Sequence, residues 1–314
     1  MTTPVRQLDV VALGGGHGLA ASLRALRRVT SHLTAVVGVS DNGGSSGRIR
    51  DQFNVVPPGD LRMALAALCG DDTWGSTWAR VLQHRFHSEG DLDGHALGNL
   101  IITALWEETD DVVSGLDWVA RLLDARGTVL PLALEPLEIV AQVRHNDSVD
   151  SIRGQVEVAT APGTIESIAL HPQNPVHCQQ AVDAVWQADA VVLGPGSWFT
   201  SVLTHFHVPQ MCQALYATPA QRVLVLNLDS HTNETAGYSP ETYLDVLLSQ
   251  QPDFRLDAVI ADPASVSDSA KLARTCEQQG AYLHLAPVAQ NGTDQHDPEL
   301  LASAYRAVFG HGKI

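Results

Sequence analysis

Three glycine-rich segments hold most of the residues whose types could bind a ligand or carry out chemistry. They read GGGHG at 14–18, DNGGSSGR at 41–48 and GPGS at 194–197, and each follows a strand-like apolar run and precedes a helical pattern. In an open parallel sheet such turns gather at the carboxyl ends of the strands, where ligands bind. Bare glycine backbone and a positive helix end can both hold a phosphate. We therefore expect the three segments to share one cleft.

The first segment only just fits a dinucleotide-binding fingerprint, with Gly16, Gly18 and Ala21 in the GxGxxA positions. The alternative is that these glycines merely permit a tight turn, but the flanking strand and helix favour ligand contact. Asp41, at the end of the second strand, stands where a ribose-binding acid would. The same position suits a turn or helix-capping aspartate, and both interpretations stay open.

The second segment contains GGSSG (43–47), which formally matches the nucleophile elbow GxSxG. An elbow serine sits at the strand-to-helix turn, whereas Ser45 falls several residues beyond the strand, and no acid-then-histidine pair can be picked out downstream. The segment is better interpreted as a flexible anion-binding loop, in which Ser45 and Ser46 donate hydroxyls and Arg48 supplies charge. A solvated surface loop is the alternative.

Three further candidate ligand-binding residues could instead have a purely structural role. Asp60, in PPGDLR, suits a helix N-cap. His95 and Asn99 lie four residues apart on one helical face, where internal hydrogen bonding is the commoner role. The predicted ligand-binding residues are Gly15, Gly16, His17, Gly18, Asp41, Asn42, Gly44, Ser45, Ser46, Arg48, Asp60, His95, Asn99, Gly194, Gly196, Ser197 and Thr200. No metal site is predicted, and the catalytic residues stay unknown.

Composition narrows the function classes. The chain has 314 residues, and its formal charge is -16. A nucleic-acid partner is therefore not expected, because a phosphate backbone must meet a positive surface. A Walker A loop needs a lysine, and no lysine occurs before Lys271. We find no signal peptide and no apolar stretch near the ~20 residues that span a bilayer, so we expect a cytoplasmic protein without membrane insertion.

The elements that must position these residues alternate along the chain. Apolar, β-branched runs bounded by glycine alternate with segments of helical period, which is typical of βαβ units. The pattern predicts an α/β protein built on a mostly parallel sheet with helices on both faces. Between residues 127 and 170 the strands become short and alternating, which predicts a small β-rich insertion. We expect one domain, 1–314, that contains it.

Seven motifs in order and spacing resemble the YvcK-like gluconeogenesis-factor family of the CofD-like superfamily, whose enzymatic member is 2-phospho-L-lactate transferase. They are VALGGGHGL, SDNGGSSGRIR, VVPPGDLRMALAAL, GHALGNLI, GTVLP, VVLGPGSWFTS and NETAGYS. The resemblance runs from the first strand to the final helix, and seven motifs together are far more specific than any one.

The resemblance implies a three-layer Rossmann-like fold. It also implies a cytoplasmic regulatory protein that binds a UDP-sugar such as UDP-N-acetylglucosamine and is needed for growth and cell shape on gluconeogenic carbon sources. It implies no required cofactor. The alternatives are a phospholactate-type transferase or an NAD-binding enzyme. Asn42 replaces the second of the family's paired aspartates, which makes metal-assisted transfer less favourable. We also expect a homodimer, the commonest assembly, and a protein partner in cell-wall regulation.

Overall fold

The fold is built on a seven-stranded sheet in which every neighbouring pair is parallel. It was obtained as a computed structural model that describes residues 7–146, 148–228, 233–235 and 237–311. The strands are β1 (Asp9–Gly14), β2 (His32–Val37), β3 (Thr128–Pro131), β4 (Glu138–His145), β5 (Ser148–Arg153), β6 (Thr164–His171), β7 (Ala190–Leu193), β8 (Gln221–Val225), β9 (Ala258–Ala261) and β10 (Tyr282–Leu285). The main sheet has the order β10-β9-β8-β7-β1-β2-β3.

Helices cover both faces of this sheet, as the alternating pattern predicted. They are α1 (Gly16–Leu26), α2 (Gly44–Phe53), α3 (Gly59–Leu68), α4 (Thr73–Gln83), α5 (Leu97–Thr109), α6 (Val112–Leu123), α7 (Gln155–Thr160), α8 (Gln179–Gln187), α9 (Pro209–Ala217), α10 (Pro240–Gln250), α11 (Ser269–Gln279) and α12 (Pro298–His311). The central strands are apolar throughout because they are covered on both sides: all four residues of β7 and of β9 are buried. The predicted three-layer α/β fold is confirmed.

The strand order reverses at the centre of the sheet. From β1 the chain builds outward through β2 to β3, and it later returns to the other side of β1 with β7. The connections after β1 and β7 therefore leave in opposite directions, and a crevice opens between them at the carboxyl ends of the two strands. Such a switch point is where open α/β sheets bind their ligands.

The β-rich insertion is present, but its first boundary is corrected. β3 lies in the main sheet, in parallel register with β2 from Thr34↔Thr128 to Val37↔Pro131. The separate antiparallel sheet has the order β5-β4-β6, and the segment after β5 forms helix α7. The sequence could not separate these cases, because a short alternating run looks the same in an edge strand as in an inserted sheet.

The second glycine-rich segment is a helix start, where a flexible loop was expected. Helix α2 begins at Gly44, and Ser45, Ser46 and Gly47 are buried in its first turn. A Cβ on Gly47 would lie 2.1 Å from the carbonyl oxygen of Asn42. Glycine at 47 is therefore required for close packing, which its abundance in the sequence did not distinguish from flexibility.

Within the described residues, none of the helices has the length and the apolar character needed to cross a bilayer.

Candidate functional site

A cleft of about 580 Å³ opens at the carboxyl ends of β1 and β7, the switch point of the sheet. It is lined by Gly15, Gly16, His17, Gly18, Ala21, Arg24, Asp60, Gln155, Pro195, Gly196, Ser197, Ser201, Asn227, Leu228, Asp294, Gln295 and His296. Among the predicted ligand-binding residues, those on its wall are Gly15, Gly16, His17, Gly18, Asp60, Gly196 and Ser197. The first and third glycine turns thus share one cleft, and the second segment does not reach its wall.

The two turns meet through backbone alone. A Cβ on Gly18 would lie 2.3 Å from the Pro195 carbonyl oxygen and 2.5 Å from the Gly196 Cα, so neither turn could keep its place. Asn227, just after β8, fixes the second turn. Its Oδ1 accepts a hydrogen bond from the Gly196 N–H (2.8 Å), and its Nδ2 donates one to the Gly196 carbonyl (2.9 Å). The backbone beside the cleft is therefore held rigidly.

Asp60 is the half-buried acid on the cleft wall. It does not cap its own helix: α3 begins at Gly59 without a side-chain cap, and the Asp60 carboxylate instead accepts a hydrogen bond from the Gly16 N–H at the start of α1. Burial, and then the nearby Asp41, raise the pKa of Asp60 to about 7. A carboxylate therefore already occupies the helix end at which a phosphate was expected.

Ser45, His95 and Asn99 lie inside the protein and bind one another. Ser45 Oγ, in a residue 2% exposed, accepts hydrogen bonds from the Asn99 Nδ2 (3.0 Å) and the Ala96 N–H (3.2 Å). Its own hydroxyl is then left to donate to His95 Nδ1, 3.1 Å away. Asn99 Oδ1 in turn accepts from Arg62 Nε at 2.8 Å. The network joins α2, α3 and α5. This internal hydrogen bonding is the structural alternative given above for His95 and Asn99.

Removing the Ser45 hydroxyl should therefore affect stability and leave the cleft unchanged. We expect Ser45→Ala to lower the free energy of unfolding by roughly 1–3 kcal/mol, because two buried donors and the imidazole lose their partner. Urea denaturation of parent and variant measures this. Ligand affinity should stay within about twofold of the parent, whereas a tenfold loss without a loss of stability would show that Ser45 contacts the ligand.

The other residues of the second segment serve the protein itself. Asn42 Nδ2 donates to Glu157 (2.7 Å), and its Oδ1 accepts from the Val156 N–H (3.0 Å), so the amide fastens the start of α7. Arg48 donates to the Asp93 carbonyl at 2.6 Å, outside the cleft. Gly44 is exposed and has a φ of 48°. Ser46 Oγ accepts from the Gly59 N–H. Their predicted ligand contacts stay predictions without geometric support.

The helical turn after the third glycine segment also faces an internal carboxylate. Glu234 is 3% exposed, and the N–H groups of Trp198, Phe199 and Thr200 and the Thr200 hydroxyl surround its carboxyl group. Neither oxygen makes a hydrogen bond of ordinary geometry within the described residues, so desolvation prevails. Burial raises the pKa of Glu234 to about 7 despite these donors. Thr200 and Gly194 accordingly serve the turn, and neither lines the cleft.

The raised pKa of Glu234 makes stability depend on pH. A carboxyl whose pKa is near 7 when folded and 4.5 as its ordinary value stabilises the fold at low pH, and this contribution is lost as the pH rises through 7. Glu234→Gln mimics the protonated form. We expect its stability relative to the parent to increase by about 2 kcal/mol between pH 5 and pH 8, measured by denaturation at both pH values. A pH-independent difference would contradict the buried neutral carboxyl.

No group of three or more histidine, cysteine, aspartate or glutamate side chains suited to a metal occurs among the residues that the structure describes.

Several cleft residues were not predicted, namely Ala21, Arg24, Gln155, Pro195, Ser201, Asn227, Leu228, Asp294, Gln295 and His296. Asn227 could have been found, because it is polar and directly follows an apolar strand. His296 carries no such signal: it comes from the loop before α12, and burial lowers the pKa of its imidazole to about 4. The imidazole is therefore neutral at physiological pH.

Comparison with known proteins agrees with this architecture. The family model "2-phospho-L-lactate transferase CofD" matches residues 10–295. A Mycobacterium tuberculosis protein named "Putative gluconeogenesis factor" is 49% identical over 95% of this chain and 90% of its own. A Listeria innocua "Gluconeogenesis factor" is 36% identical over 76% of this chain and 72% of its own.

The likeness extends to a solved structure. A crystal structure of a UPF0052-family protein from Bacillus halodurans has a TM-score of 0.85 and 28% identity, and the alignment covers 96% of this chain and 99% of that one. The family model, at residues 10–295, includes both glycine turns that form the cleft, and the Mycobacterium and Bacillus matches cover nearly all of the chain. This chain therefore belongs to the CofD family, in the branch of YvcK-like proteins that are named gluconeogenesis factors.

Proposed function

We propose that the protein binds a nucleotide-sugar of the UDP-N-acetylglucosamine type in the switch-point cleft and acts as a regulatory protein. Through this ligand it supports growth and cell shape on gluconeogenic carbon sources. The observation that carries the proposal is the junction of Gly18 with Pro195 and Gly196, where two glycine turns bring bare backbone to one cleft. Nucleotide sites of open α/β sheets are built this way.

The shape of the surface supports an elongated ligand. The cleft continues past Leu228 and Asp294, which it shares with a second cavity of about 990 Å³. That cavity is lined by the residues that follow β9 and β10, among them Asp262 and the loop 287–294. Two adjoining cavities that share Leu228 and Asp294 suit an elongated ligand such as a nucleoside joined to a sugar through a diphosphate.

A phospholactate-type transferase is the second candidate, because the matching family model carries that enzyme's name. It is less favoured here. The Asn42 amide is neutral and already hydrogen-bonds Glu157 and Val156, so this position is a weaker ligand for a metal ion than a carboxylate. An NAD-dependent enzyme is the third. Asp41, the acid that would hold its ribose, hydrogen-bonds the Gly43 N–H and does not line the cleft.

A thermal-shift comparison separates the three candidates, because a ligand that binds the native state raises the melting temperature. UDP-N-acetylglucosamine should stabilise the protein at sub-millimolar concentration without added metal. Stabilisation by GDP with magnesium alone would favour the transferase, and stabilisation by NAD alone the third candidate.

The proposal includes a cytoplasmic homodimer that passes the signal to a protein of cell-wall regulation. Symmetric dimers are the commonest assembly of such proteins. Sedimentation velocity at micromolar concentration tests this part, and a monomer that persists to 100 µM would contradict it.

A further inference from the structure

The cleft contains an acid where the proposed ligand would be expected to place its phosphate. The Asp60 carboxylate accepts the Gly16 N–H at the start of α1, and Asp41 lies close enough to act on its charge. Arg62, which interacts electrostatically with both carboxyls, donates hydrogen bonds to Asn99 and Gln83. Arg24 also lines the cleft, but it is not among the groups that act on the Asp60 carboxyl. A phosphate set against Asp60 would therefore meet a like charge, and Arg62, the cation that acts on that charge, is already engaged.

A hydroxyl group fits this position where a phosphate does not. A carboxylate is a pure acceptor with two oxygens, so a sugar hydroxyl supplies the donor that it takes. Glycine at 15 lets both polar groups lie against the backbone: a Cβ there would lie 2.6 Å from Asp60 Oδ2 and 3.3 Å from Ser201 Oγ. Bare backbone thus separates a carboxylate from a hydroxyl, and all three face the cleft. The three groups form one polar patch on the wall of the cleft.

We propose that Asp60 accepts hydrogen bonds from the hydroxyls of the ligand's sugar, so that the sugar lies over the β1–α1 turn and the diphosphate lies away from it. Ser201 completes the contact beside Gly15. The inference rests on the proposed nucleotide-sugar function and adds the direction in which the ligand lies. It makes Asp60 the residue that distinguishes a nucleotide-sugar from the bare nucleotide.

The ionisation of Asp60 gives the arrangement a distinctive signature. The groups that act on it are Asp41, which raises its pKa, and the Gly16 N–H and Arg62, which lower it; the result is a pKa of about 7. A hydroxyl donor favours the ionised form, so binding of the sugar at pH 7 releases protons, up to about half a proton per site. A phosphate in the same place favours the neutral form and takes protons up.

Titration calorimetry with UDP and UDP-N-acetylglucosamine, in EDTA and in two buffers of different ionisation enthalpy, tests the proposal. For the parent we expect proton release with the sugar-bearing ligand, whose diphosphate has no proton to lose near pH 7. Any protons exchanged with UDP come from its terminal phosphate, which titrates near pH 6, and should be the same in Asp60→Asn. Asp60→Asn should weaken UDP-N-acetylglucosamine about tenfold, leave UDP within about threefold, and abolish the proton release. Asp51→Asn, which removes an exposed charge outside the cleft, is the matched control and should change neither affinity.

Ser201→Ala provides a second variant that keeps the charge, and it should weaken only the sugar-bearing ligand, by about threefold. Proton uptake, stronger UDP binding by Asp60→Asn, or affinity that appears only with magnesium would each place the phosphate at Asp60 and overturn the inference. In those cases the parent still binds the nucleotide-sugar, so the proposed function survives. If the parent binds neither ligand, both proposals fall.

Discussion

Gly18→Ala should cost roughly 3 kcal/mol or more of folding free energy and abolish measurable ligand binding. The new Cβ would lie 2.3 Å from the Pro195 carbonyl oxygen and 2.5 Å from the Gly196 Cα, and both atoms belong to backbone that cannot rotate away. The two turns must then separate, which opens the packing between α1 and the turn after β7. Chemical denaturation measures the stability, and calorimetry with UDP-N-acetylglucosamine measures the binding.

The matched control is Gly310→Ala. Gly310 lies in α12, and nothing within 4 Å would meet an added Cβ. Alanine is a better helix former than glycine, so this variant should be unchanged or stabilised by less than about 1 kcal/mol. If Gly18→Ala behaved like Gly310→Ala, the direct contact of the two turns would be refuted.

Asn227→Ala should weaken ligand binding about thirtyfold and reduce stability by only about 1–2 kcal/mol. The side chain makes both hydrogen bonds to Gly196, one to its N–H and one to its carbonyl. Without them the turn that forms one wall of the cleft is no longer held in a single position, and the ligand must order it on binding. Calorimetry with UDP-N-acetylglucosamine measures the loss.

Asn99→Ala is the control for this second prediction. Asn99 is a buried amide that, like Asn227, makes two hydrogen bonds, here with Ser45 and Arg62, but it lies outside the cleft. Its loss should lower stability at least as much and leave affinity within about twofold. Equal effects of the two variants on affinity would mean that binding follows overall stability and that Asn227 has no special role.

The features that depend on local sequence pattern, namely the strands and their turns, were predicted well. The strands β1, β2 and β7 are apolar runs bounded by glycine, and their turns stand where the runs predicted them. A parallel sheet brings the ends of neighbouring strands together, so the meeting of the first and third turns followed from the fold. The insertion was recognised because its strands are short and alternate in polarity. Strand β3 was wrongly assigned to it and belongs to the main sheet.

The tertiary contacts of the candidate side chains could not be predicted from the sequence pattern. Ser45 and Arg48 look like ligand donors in a glycine-rich segment, yet one contacts His95 and the other the Asp93 carbonyl, both supplied by residues about fifty positions later. Spacing also could not show that Asp60 and Glu234 would face helix starts from elsewhere in the chain. The N-terminus of a helix favours a negative charge, but that charge can come from a carboxyl group of the protein itself and need not come from a ligand.

A crystal structure of the protein with UDP-N-acetylglucosamine tests the proposed binding site most directly. We predict ligand density in the switch-point cleft, in contact with Gly15, Gly16 and Ser197, with the sugar against Asp60. Density at any other surface, or an empty cleft at a ligand concentration that saturates the protein in solution, would contradict it.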